Sequence, residues 1–303
     1  MAHAGRPPHR SPLTCGAPGP SSFHRQTKET AMTATLEFHD GSRIPQLGFG
    51  LWQVPEDRTA EVVREALELG YRLADGAAIY GNEEGLGHGL RTSGLPRDKV
   101  FVTTKVWNDA QGFESALRAV EESLKRLGLD RLDLCLIHWP APKRNLYVET
   151  WRALIRLRDE GRITSIGVSN FDLDQIDRLT AETGVTPVLN QIELHPMLQQ
   201  AELRAGHAER GIVTQSWSPL GRGMAFETPA IREIAERTGR SPAQVVLRWH
   251  IELGCAVIPR STRRAGLAEN LALFDFELTE ADHAAISALD AGTRTGPDPQ
   301  SFG

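Results

Sequence analysis

The pattern of residues 132–170 predicts one strand–helix–strand unit, in the sequence LDLCLIHWPAPKRNLYVETWRALIRLRDEGRITSIGVSN. Apolar residues run almost without interruption through residues 132–138 and again through 165–169, which is typical of strands buried on both faces of a parallel sheet. The segment between them, NLYVETWRALIRLRDEG, has a helical pattern and ends at Gly161, a helix stop signal. The unit therefore predicts two parallel strands joined by a covering helix.

The same alternation extends in both directions from this unit. Eight strands are predicted in all, at residues 46–51, 72–75, 100–105, 132–138, 165–169, 189–193, 213–217 and 256–258. Helical patterns separate them, and the last opens at Ser241 and Pro242 and stops at Gly254, both cap signatures. Eight repeats of similar length predict an α/β fold of the closed (β/α)8 TIM barrel class, with an open doubly wound sheet as the alternative.

A short β-hairpin is predicted at the N-terminal side of the barrel. The stretch TLEFHDGSRIPQ (residues 35–46) has two brief alternating segments around Asp40 and Gly41. This pair of residues favours a type I′ turn, in which both central residues have positive φ.

The N-terminal residues 1–33 differ in composition from everything after them. They are rich in Pro, Gly, Ser and Ala and show no apolar periodicity. Because such a segment buries too little apolar surface to fold, we predict a disordered N-terminal tail at residues 1–33 and one barrel domain at residues 34–303.

Composition argues against several classes of protein. The chain has 303 residues and a formal net charge of -5, whereas domains that bind nucleic acid usually run basic. No apolar run approaches the roughly 18 residues that a membrane helix needs. Cys15, Cys135 and Cys255 have long spacings and form no CxxC pair, so neither a disulfide framework nor a metal site is predicted. We expect a cytoplasmic monomer without nucleic-acid or membrane partners.

Polar residues end several of the predicted strands. Asp75 ends the second strand, Lys105 the third and His138 the fourth, and Tyr80 lies in the loop that follows Asp75. In a barrel, the carboxyl ends of the strands meet at one rim, where the active sites of such folds lie. A buried carboxylate and ammonium can offset each other's desolvation. An ammonium beside a phenol is expected to lower the phenol's pKa from about 10.

These four residues together predict acid–base chemistry at a carbonyl group. Tyr80 is a plausible general acid for an oxygen that gains charge, and His138 can orient that oxygen by a hydrogen bond. Taken singly, an Asp–Lys pair, a histidine at a strand end or a tyrosine in a loop is more often structural than catalytic. Their occurrence at neighbouring strand ends favours the catalytic interpretation.

Six motifs resemble those of the aldo-keto reductase family, and the resemblance covers residues 35–290. They are GYRLADGAAIYGNEEGLG (70–87), FVTTKVWN (101–108), DLCLIHWP (133–140), IGVSNF (166–171), NQIELHP (190–196) and IPRS (258–261). The stretch SWSPLGRG (216–223) looks most like the bacterial branch that contains 2,5-diketo-D-gluconate reductases. The resemblance implies a (β/α)8 barrel, NADPH/NADP+ as cofactor and a small-molecule carbonyl substrate.

The resemblance also implies a role for each matching residue. Tyr80 would be the proton donor, Lys105 its activator, Asp75 the partner of Lys105, and His138 the group that orients the carbonyl. The implied cofactor site comprises Ser169, Asn170 and Gln191 at the nicotinamide carboxamide, Trp217 on the nicotinamide ring, Ser218, Leu220 and Gly221 over the pyrophosphate, Arg260, Ser261, Thr262 and Arg263 at the 2′-phosphate, and Glu269 and Asn270 near adenine.

The charge of the segment after the last strand also favours NADPH over NADH. The stretch PRSTRRAGLAEN (259–270) supplies guanidinium groups, which recognise phosphate well. The alternative is a solvated basic helix start. Three features depart from the family pattern. Gly266 stands where an arginine usually contacts the 2′-phosphate, Leu73 and Ala74 replace His-Ile, and Gly76 replaces a small hydroxyl residue.

Three tryptophans follow strand ends and are expected to line the substrate pocket together with His138. They are Trp52, Trp107 and Trp139, and the segment TRTGPDPQSFG (293–303) is expected to reach over the same mouth. We predict an NADPH-dependent oxidoreductase that reduces aldehydes and ketones, with keto sugars and small dicarbonyls as candidate substrates. An NADPH-binding regulatory module with little turnover and a barrel lyase or hydrolase are the alternatives.

Overall fold

The computed structural model describes residues 34–303 together with Met1. The predicted disordered tail therefore lies outside the described residues, apart from Met1, and so does Cys15. The boundary between tail and barrel stays a prediction.

Eight parallel strands form one sheet at the positions that the sequence predicted. They are β3 (Phe49–Gly50), β4 (Leu73–Asp75), β5 (Phe101–Val106), β6 (Leu132–Ile137), β7 (Ile163–Ser169), β8 (Leu189–Glu193), β9 (Val213–Trp217) and β10 (Ala256–Val257). Each strand pairs with its neighbours in chain order. The strand–helix–strand unit at residues 132–170 is present, with β6 and β7 in parallel register, Leu132 opposite Ile163.

Backbone hydrogen bonds between the first and last strands close this sheet into a barrel. The Gly48 N–H donates to the Val257 carbonyl at 2.8 Å, and the Val257 N–H donates to the Gln46 carbonyl at 2.8 Å. Farther along, the Gly50 N–H donates to the Pro259 carbonyl at 3.2 Å. The prediction of a (β/α)8 barrel is confirmed, and the open doubly wound alternative is wrong.

The predicted N-terminal hairpin is also present, as β1 (Thr35–Glu37) and β2 (Arg43–Pro45). Its turn is not type I′, because only Gly41 has a positive φ, of 86°. The Gly41 N–H donates to the Phe38 carbonyl, and the Asp40 carboxylate accepts the Ser42 N–H at 2.9 Å. The side chain of Asp40 thus stabilises its own turn, while Asp40 itself has no positive φ.

The hairpin covers the amino-terminal end of the barrel. Phe38 and Ile44 are buried and pack in one cluster with barrel residues that include Leu134 and Leu136. The Ser42 hydroxyl lies 2.8 Å from the hydroxyl of Ser165, near the start of β7. Since this end is closed, the carboxyl ends of the strands are left for the functional site.

Ten α-helices surround the barrel in the part of the chain that the structure describes. They are α1 (Glu56–Leu69), α2 (Glu83–Thr92), α3 (Phe113–Leu127), α4 (Tyr147–Asp159), α5 (Leu173–Thr183), α6 (Ala201–Glu209), α7 (Pro229–Thr238), α8 (Pro242–Glu252), α9 (Arg264–Leu271) and α10 (Glu280–Ser287). None of these helices is long and apolar enough to cross a membrane. The main apolar core lies between the helices and the outer face of the barrel.

Helix ends follow the signals in the sequence. Helix α1 ends at Gly70, whose φ of 115° is costly for any residue with a Cβ. Helix α8 begins with a capping box, in which the Ser241 side chain accepts the Gln244 N–H and the Gln244 side chain accepts the Ser241 N–H. Helix α3 buries Val120, Leu124 and Leu127, whose spacing places them on one face of the helix.

Helix α2 follows the loop of Tyr80 and is packed unusually close to its neighbours. A Cβ on Gly87 would lie 2.0 Å from the Leu127 carbonyl oxygen, and one on Gly89 would lie 2.6 Å from the Val63 Cβ. Glycine lowers the intrinsic helix propensity by about 1 kcal/mol relative to alanine. Here it permits contact between α2, α1 and α3 that no larger residue allows.

Candidate active site

The structure brings Asp75, Lys105 and Tyr80 together at the carboxyl-terminal rim of the barrel. Lys105 is 1% exposed, and its ammonium donates to the Asp75 carboxylate at 2.5 Å. It also donates to the Gly76 carbonyl at 2.8 Å and lies 3.4 Å from the Tyr80 hydroxyl. Strands β4 and β5 are adjacent in the sheet, so the two charges meet as the sequence predicted.

Burial decides the protonation state of Tyr80. Burial raises the pKa of Tyr80, and the opposing effect of the Lys105 ammonium is smaller, so the pKa lies above its ordinary value of 10.0. The expectation that Lys105 would bring this pKa below its ordinary value is therefore wrong. Tyr80 keeps its proton at neutral pH, which is the state that a proton donor needs.

Lys105 stays charged in spite of its burial. Burial lowers the pKa of Lys105, but Asp75, followed by Tyr80, raises it above its ordinary value. A permanent positive charge thus lies next to the Tyr80 oxygen. That charge stabilises the phenolate which forms when Tyr80 gives up its proton.

His138 follows β6 and faces the same site as a neutral imidazole. Its ring lies 5.7 Å from the Tyr80 ring, measured between centroids, in an edge-to-face arrangement. Burial, and to a smaller extent the Lys105 charge, lower the pKa of His138 well below 6.5. Its Nδ1 is buried and has no hydrogen-bond partner among the described residues.

The second oxygen of Asp75 is bound by Gln191, which in turn binds Gln215. The Gln191 Nε2 donates to Asp75 Oδ2 at 2.7 Å and to Gln215 Oε1 at 2.7 Å. Both glutamines are buried inside the barrel, at opposed positions of β8 and β9. Gln215 is a residue of this group that was not predicted from the sequence. Its position two residues before Trp217, on the same side of β9, is the signal that could have indicated it.

Ser169, Asn170 and Trp217 form a second group of polar side chains at the rim. Asn170 has a left-handed φ of 65°, and its amide donates to the His138 carbonyl at 3.0 Å. The Trp217 indole N–H donates to Asn170 Oδ1 at 2.8 Å. The Ser169 hydroxyl donates to the Gln191 carbonyl at 2.7 Å. These bonds orient the residues to which the resemblance assigns the nicotinamide.

The arrangement has acceptors left for a carboxamide. Among the described residues no hydrogen bond is donated to Gln191 Oε1, and Asn170 Oδ1 accepts only one. A carbonyl oxygen has two lone pairs, so both groups can accept an N–H from a bound amide. The residues present therefore fit the carboxamide of a nicotinamide cofactor.

The loop after β9 has an exceptional backbone conformation. Ser218, Gly221, Arg222 and Gly223 all have positive φ, of 47°, 51°, 54° and 81°. A Cβ on Gly221 would lie 2.9 Å from the His195 ring. Leu220 is half-buried within this loop. The two glycines allow this positive-φ backbone and its close packing on the rings of His195 and Phe226. This is the loop to which the resemblance assigns the pyrophosphate.

The basic segment after β10 lies beside the first βα loop. The Arg260 guanidinium is exposed and lies 3.5 Å from the Gln53 carbonyl, next to Trp52. The Ser261 hydroxyl donates to the Arg263 carbonyl at 3.0 Å. Thr262 is half-buried between them. The guanidinium groups of Arg260 and Arg263 are exposed, so they can bind a phosphate group that arrives from solvent.

Neighbouring residues limit what the rest of this segment can do. Arg264 pairs with Glu68 at 2.8 Å, which directs it toward α1. A Cβ on Gly266 would lie 2.5 Å from the Ser261 hydroxyl oxygen, so a larger residue there displaces Ser261. Glu269 accepts a hydrogen bond from Ser241, and Asn270 is buried.

Aromatic rings surround Tyr80 and His138. Trp52 is 51% exposed, and its ring lies 5.0 Å from the Tyr80 ring. Trp107 lies 5.0 Å and Trp139 6.5 Å from the His138 ring. These are the three tryptophans that the sequence analysis assigned to the substrate pocket.

The C-terminal segment adds a further ring, which the sequence analysis did not single out. The Phe302 ring lies 4.7 Å from the Trp139 ring and 6.2 Å from the Trp107 ring. The expected reach of residues 293–303 over the barrel mouth is therefore present. The mouth that leads to Tyr80 is apolar on several sides.

The loop that carries Tyr80 is held at both ends. It leaves β4 at Asp75 and enters α2 after Asn82, whose buried amide donates to the Leu51 and Val54 carbonyls at 2.9 Å each. The next residue, Glu83, is buried and binds both the Thr104 hydroxyl at 2.6 Å and the Arg126 guanidinium at 2.7 Å. These contacts fix the start of α2 against the barrel.

Comparison with known proteins agrees with the fold and with the family resemblance. Residues 46–291 match the aldo/keto reductase family. An aldo-keto reductase of Mycolicibacterium smegmatis is 49% identical over 271 residues, which are 89% of this chain and 98% of that protein. The methylglyoxal reductase DkgA of Escherichia coli is 46% identical over 275 residues, 90% of this chain and 99% of that protein.

Solved structures give the same result. A mutant of Gox0644 crystallised in complex with NADPH superposes with a TM-score of 0.86 at 49% identity, covering 89% of this chain and 99% of that chain. An aldo/keto reductase from Brucella melitensis superposes with a TM-score of 0.83 at 53% identity, covering 85% of this chain and 98% of that chain. The barrel, the six motifs and these similarities lead to one conclusion: the chain belongs to the aldo/keto reductase family.

Proposed function

We propose that this protein is an NADPH-dependent reductase of aldehydes and ketones, in which Tyr80 donates the proton. The observation that carries the proposal is the contact of the Tyr80 hydroxyl with the buried, charged Lys105 at 3.4 Å. The similarity to a protein crystallised with NADPH and to proteins named methylglyoxal reductase supports the cofactor and the substrate class.

Four residues of the chain have separate roles in the proposed reaction. NADPH, when bound, supplies the hydride for the carbonyl carbon. Tyr80 holds the proton that the carbonyl oxygen takes up, and Lys105 stabilises the phenolate that remains. Asp75 keeps Lys105 in place, and the neutral His138 orients the carbonyl oxygen by a hydrogen bond.

The cofactor would be held by the residues described above. Ser169, Asn170 and Gln191 would bind the carboxamide, and Trp217 would pack against the nicotinamide ring. The loop at residues 218–223 would cover the pyrophosphate. Arg260, Ser261, Thr262 and Arg263 would bind the 2′-phosphate, with Glu269 and Asn270 at the adenine.

Loss of nicotinamide absorbance with a panel of carbonyls tests this function directly. We expect methylglyoxal to be reduced with NADPH, and the same panel includes keto sugars and larger aldehydes to define the substrate. Tight NADPH binding without turnover of any carbonyl would instead support a regulatory module. A protein that does not bind NADPH at all would support the lyase or hydrolase alternative.

Removal of Arg263 tests the proposed 2′-phosphate site. We expect Arg263→Ala to raise KM for NADPH about 10- to 100-fold, because a charge-assisted hydrogen bond contributes roughly 1.5–3 kcal/mol. KM for NADH should change little. Steady-state kinetics with both cofactors at saturating methylglyoxal measures the effect.

Arg264→Ala is the matched control, since Arg264 pairs with Glu68. We expect less than a threefold change in KM for NADPH, as for most exposed ion pairs. Equal effects of the two substitutions, or an equal effect of Arg263→Ala on NADH, would contradict the assignment of the phosphate to Arg263.

A further inference from the structure

Glu193 carries a buried carboxylate that the proposed acid–base group does not use. It ends β8 and is 1% exposed. Its Oε1 accepts the Thr295 N–H and the Thr295 hydroxyl, each at 2.5 Å, and the Gly296 N–H at 3.2 Å. His195 Nε2 lies 3.2 Å from the same oxygen, and an Arg294 nitrogen lies 3.8 Å from the other. Residues 294–296 thus supply most of the partners of this carboxylate.

These partners keep Glu193 ionised. Burial raises its pKa, but hydrogen bonds from His195, Thr295 and Gly296 together bring the pKa below its ordinary value of 4.5. A buried anion without such donors would be strongly unfavourable. The carboxylate and the C-terminal segment therefore depend on each other for their position.

From this attachment point the chain runs directly across the proposed active site. Glu193 is opposite Trp217 in the register of β8 and β9, and a Cβ on Gly296 would lie 2.4 Å from the Trp217 ring. The Gln300 amide then donates to the Asp172 carboxylate, beyond the end of β7. Phe302 finally packs on Trp139, as described above. The path crosses the ring assigned to the nicotinamide and ends at the substrate wall.

We propose that Glu193 is a positioning residue that fixes residues 294–302 over the barrel mouth, and that it thereby sets which carbonyls fit beneath Phe302. Glu193 has no part in proton or hydride transfer. It acts through the segment that it holds. Its loss therefore weakens binding of substrates that contact Phe302 more than it slows the chemical step.

The kinetic part of this inference rests on the proposed reductase function. Binding of a carbonyl beneath a fixed Phe302 costs less conformational entropy than binding beneath a moving segment, because a moving segment has to be ordered when the substrate binds. We expect Glu193→Gln to raise KM for methylglyoxal about tenfold and to change kcat less than threefold, which is the pattern of lost uniform binding. The ratio of kcat/KM for small aldehydes to kcat/KM for bulky aldehydes should fall in this variant, because the released segment no longer narrows the mouth.

Three variants distinguish positioning from general damage to the fold. Glu193→Gln keeps the shape of the side chain but places an amide where two acceptors are needed. Thr295→Val removes one hydroxyl donor at constant volume, and Thr295→Ser restores it. We expect Thr295→Val to raise KM in the same direction and Thr295→Ser to recover the parent value. Glu209→Gln, at an exposed glutamate of α6, is the control.

Hydrogen exchange of the full-length protein with NADPH present gives a readout independent of activity. Amides of residues 296–302 should exchange at least tenfold faster in Glu193→Gln and Thr295→Val than in the parent and Thr295→Ser, while β4 and β5 exchange equally in all four. Should Glu193→Gln not fold, the two Thr295 variants decide alone.

Unchanged exchange in residues 296–302, or a fall in kcat with constant KM, would overturn the inference. If the parent shows no NADPH-linked turnover, the proposed function fails. The exchange measurement then still decides whether Glu193 holds the segment.

Discussion

Replacing Tyr80 with phenylalanine should lower kcat for methylglyoxal about 10³-fold and leave NADPH binding intact. The substitution removes one hydroxyl group, and a positioned general acid contributes roughly 10²–10⁴-fold. Because burial raises the pKa of Tyr80, the hydroxyl is fully protonated in the parent, and among the described residues no other phenol lies at the site. The loss of nicotinamide absorbance gives kcat, and cofactor fluorescence gives the dissociation constant of NADPH.

Tyr147→Phe is the matched control, because Tyr147 lies in α4 and contacts Phe171 and Arg178. We expect it to retain activity within about threefold, as for most substitutions that keep the packing. A Tyr80→Phe variant that reduced methylglyoxal as fast as the parent would disprove Tyr80 as the proton donor. Loss of NADPH binding would show that the substitution had altered the cofactor site instead.

Replacing Lys105 with methionine should abolish activity and also destabilise the protein by about 3–5 kcal/mol. The two effects have different causes. Activity is lost because nothing stabilises the Tyr80 phenolate. Stability is lost because the Asp75 carboxyl group remains buried without its counterion, with the Gln191 amide as its other side-chain partner. Urea denaturation gives the free energy of unfolding, and NADPH oxidation gives kcat.

The double variant Asp75→Asn, Lys105→Met separates these two causes. It removes both charges, while the amide oxygen introduced at position 75 can still accept from Gln191. We expect it to recover most of the lost free energy of unfolding but none of the activity, because neutral replacements of a buried pair are often tolerated. A double variant as unstable as Lys105→Met alone would show that the charge pair is not the source of the loss.

The raised pKa of Lys105 fixes the pH range in which the pair stabilises the fold. The folded-state pKa lies above the ordinary value of 10.5. Linkage therefore predicts that the contribution of the Lys105 ammonium is fully present at neutral pH and is lost as the pH rises through the folded-state pKa.

The positions of the strands, and of the side chains at their ends, could be predicted well from the sequence. Apolar runs located all eight strands, and the barrel topology then placed Asp75 beside Lys105 without further information. The gathering of the tryptophans around His138 followed from the same reasoning. Periodicity and topology suffice where position along a strand determines position in space.

Properties that depend on competing energies could not be predicted in this way. The pKa of Tyr80 depends on whether burial or Lys105 has the larger effect, and the sequence does not give the depth of burial. In the sequence, Gln215 is a single polar residue within a strand. Its partner Gln191 lies on the neighbouring strand, so the sequence alone does not indicate their hydrogen bond. The course of residues 294–302 depends on one carboxylate, Glu193, that is about a hundred positions earlier in the chain.

The fixation of the Tyr80 loop at Asp75 on one side and at Asn82 and Glu83 on the other has a consequence for protein engineering. Anyone who redesigns this loop to admit other substrates can vary the exposed Ile79, but not the buried Ala77 or the length of the loop. An inserted residue would have to bulge outward, since helix α2 cannot slide while Gly87 lies against α3. The phenol would then tilt away from Lys105 rather than travel with the loop. Substrate range is better widened at Trp107, Trp139 and Phe302, whose rings pack on one another and near His138, whereas the Trp52 ring packs on Tyr80 itself.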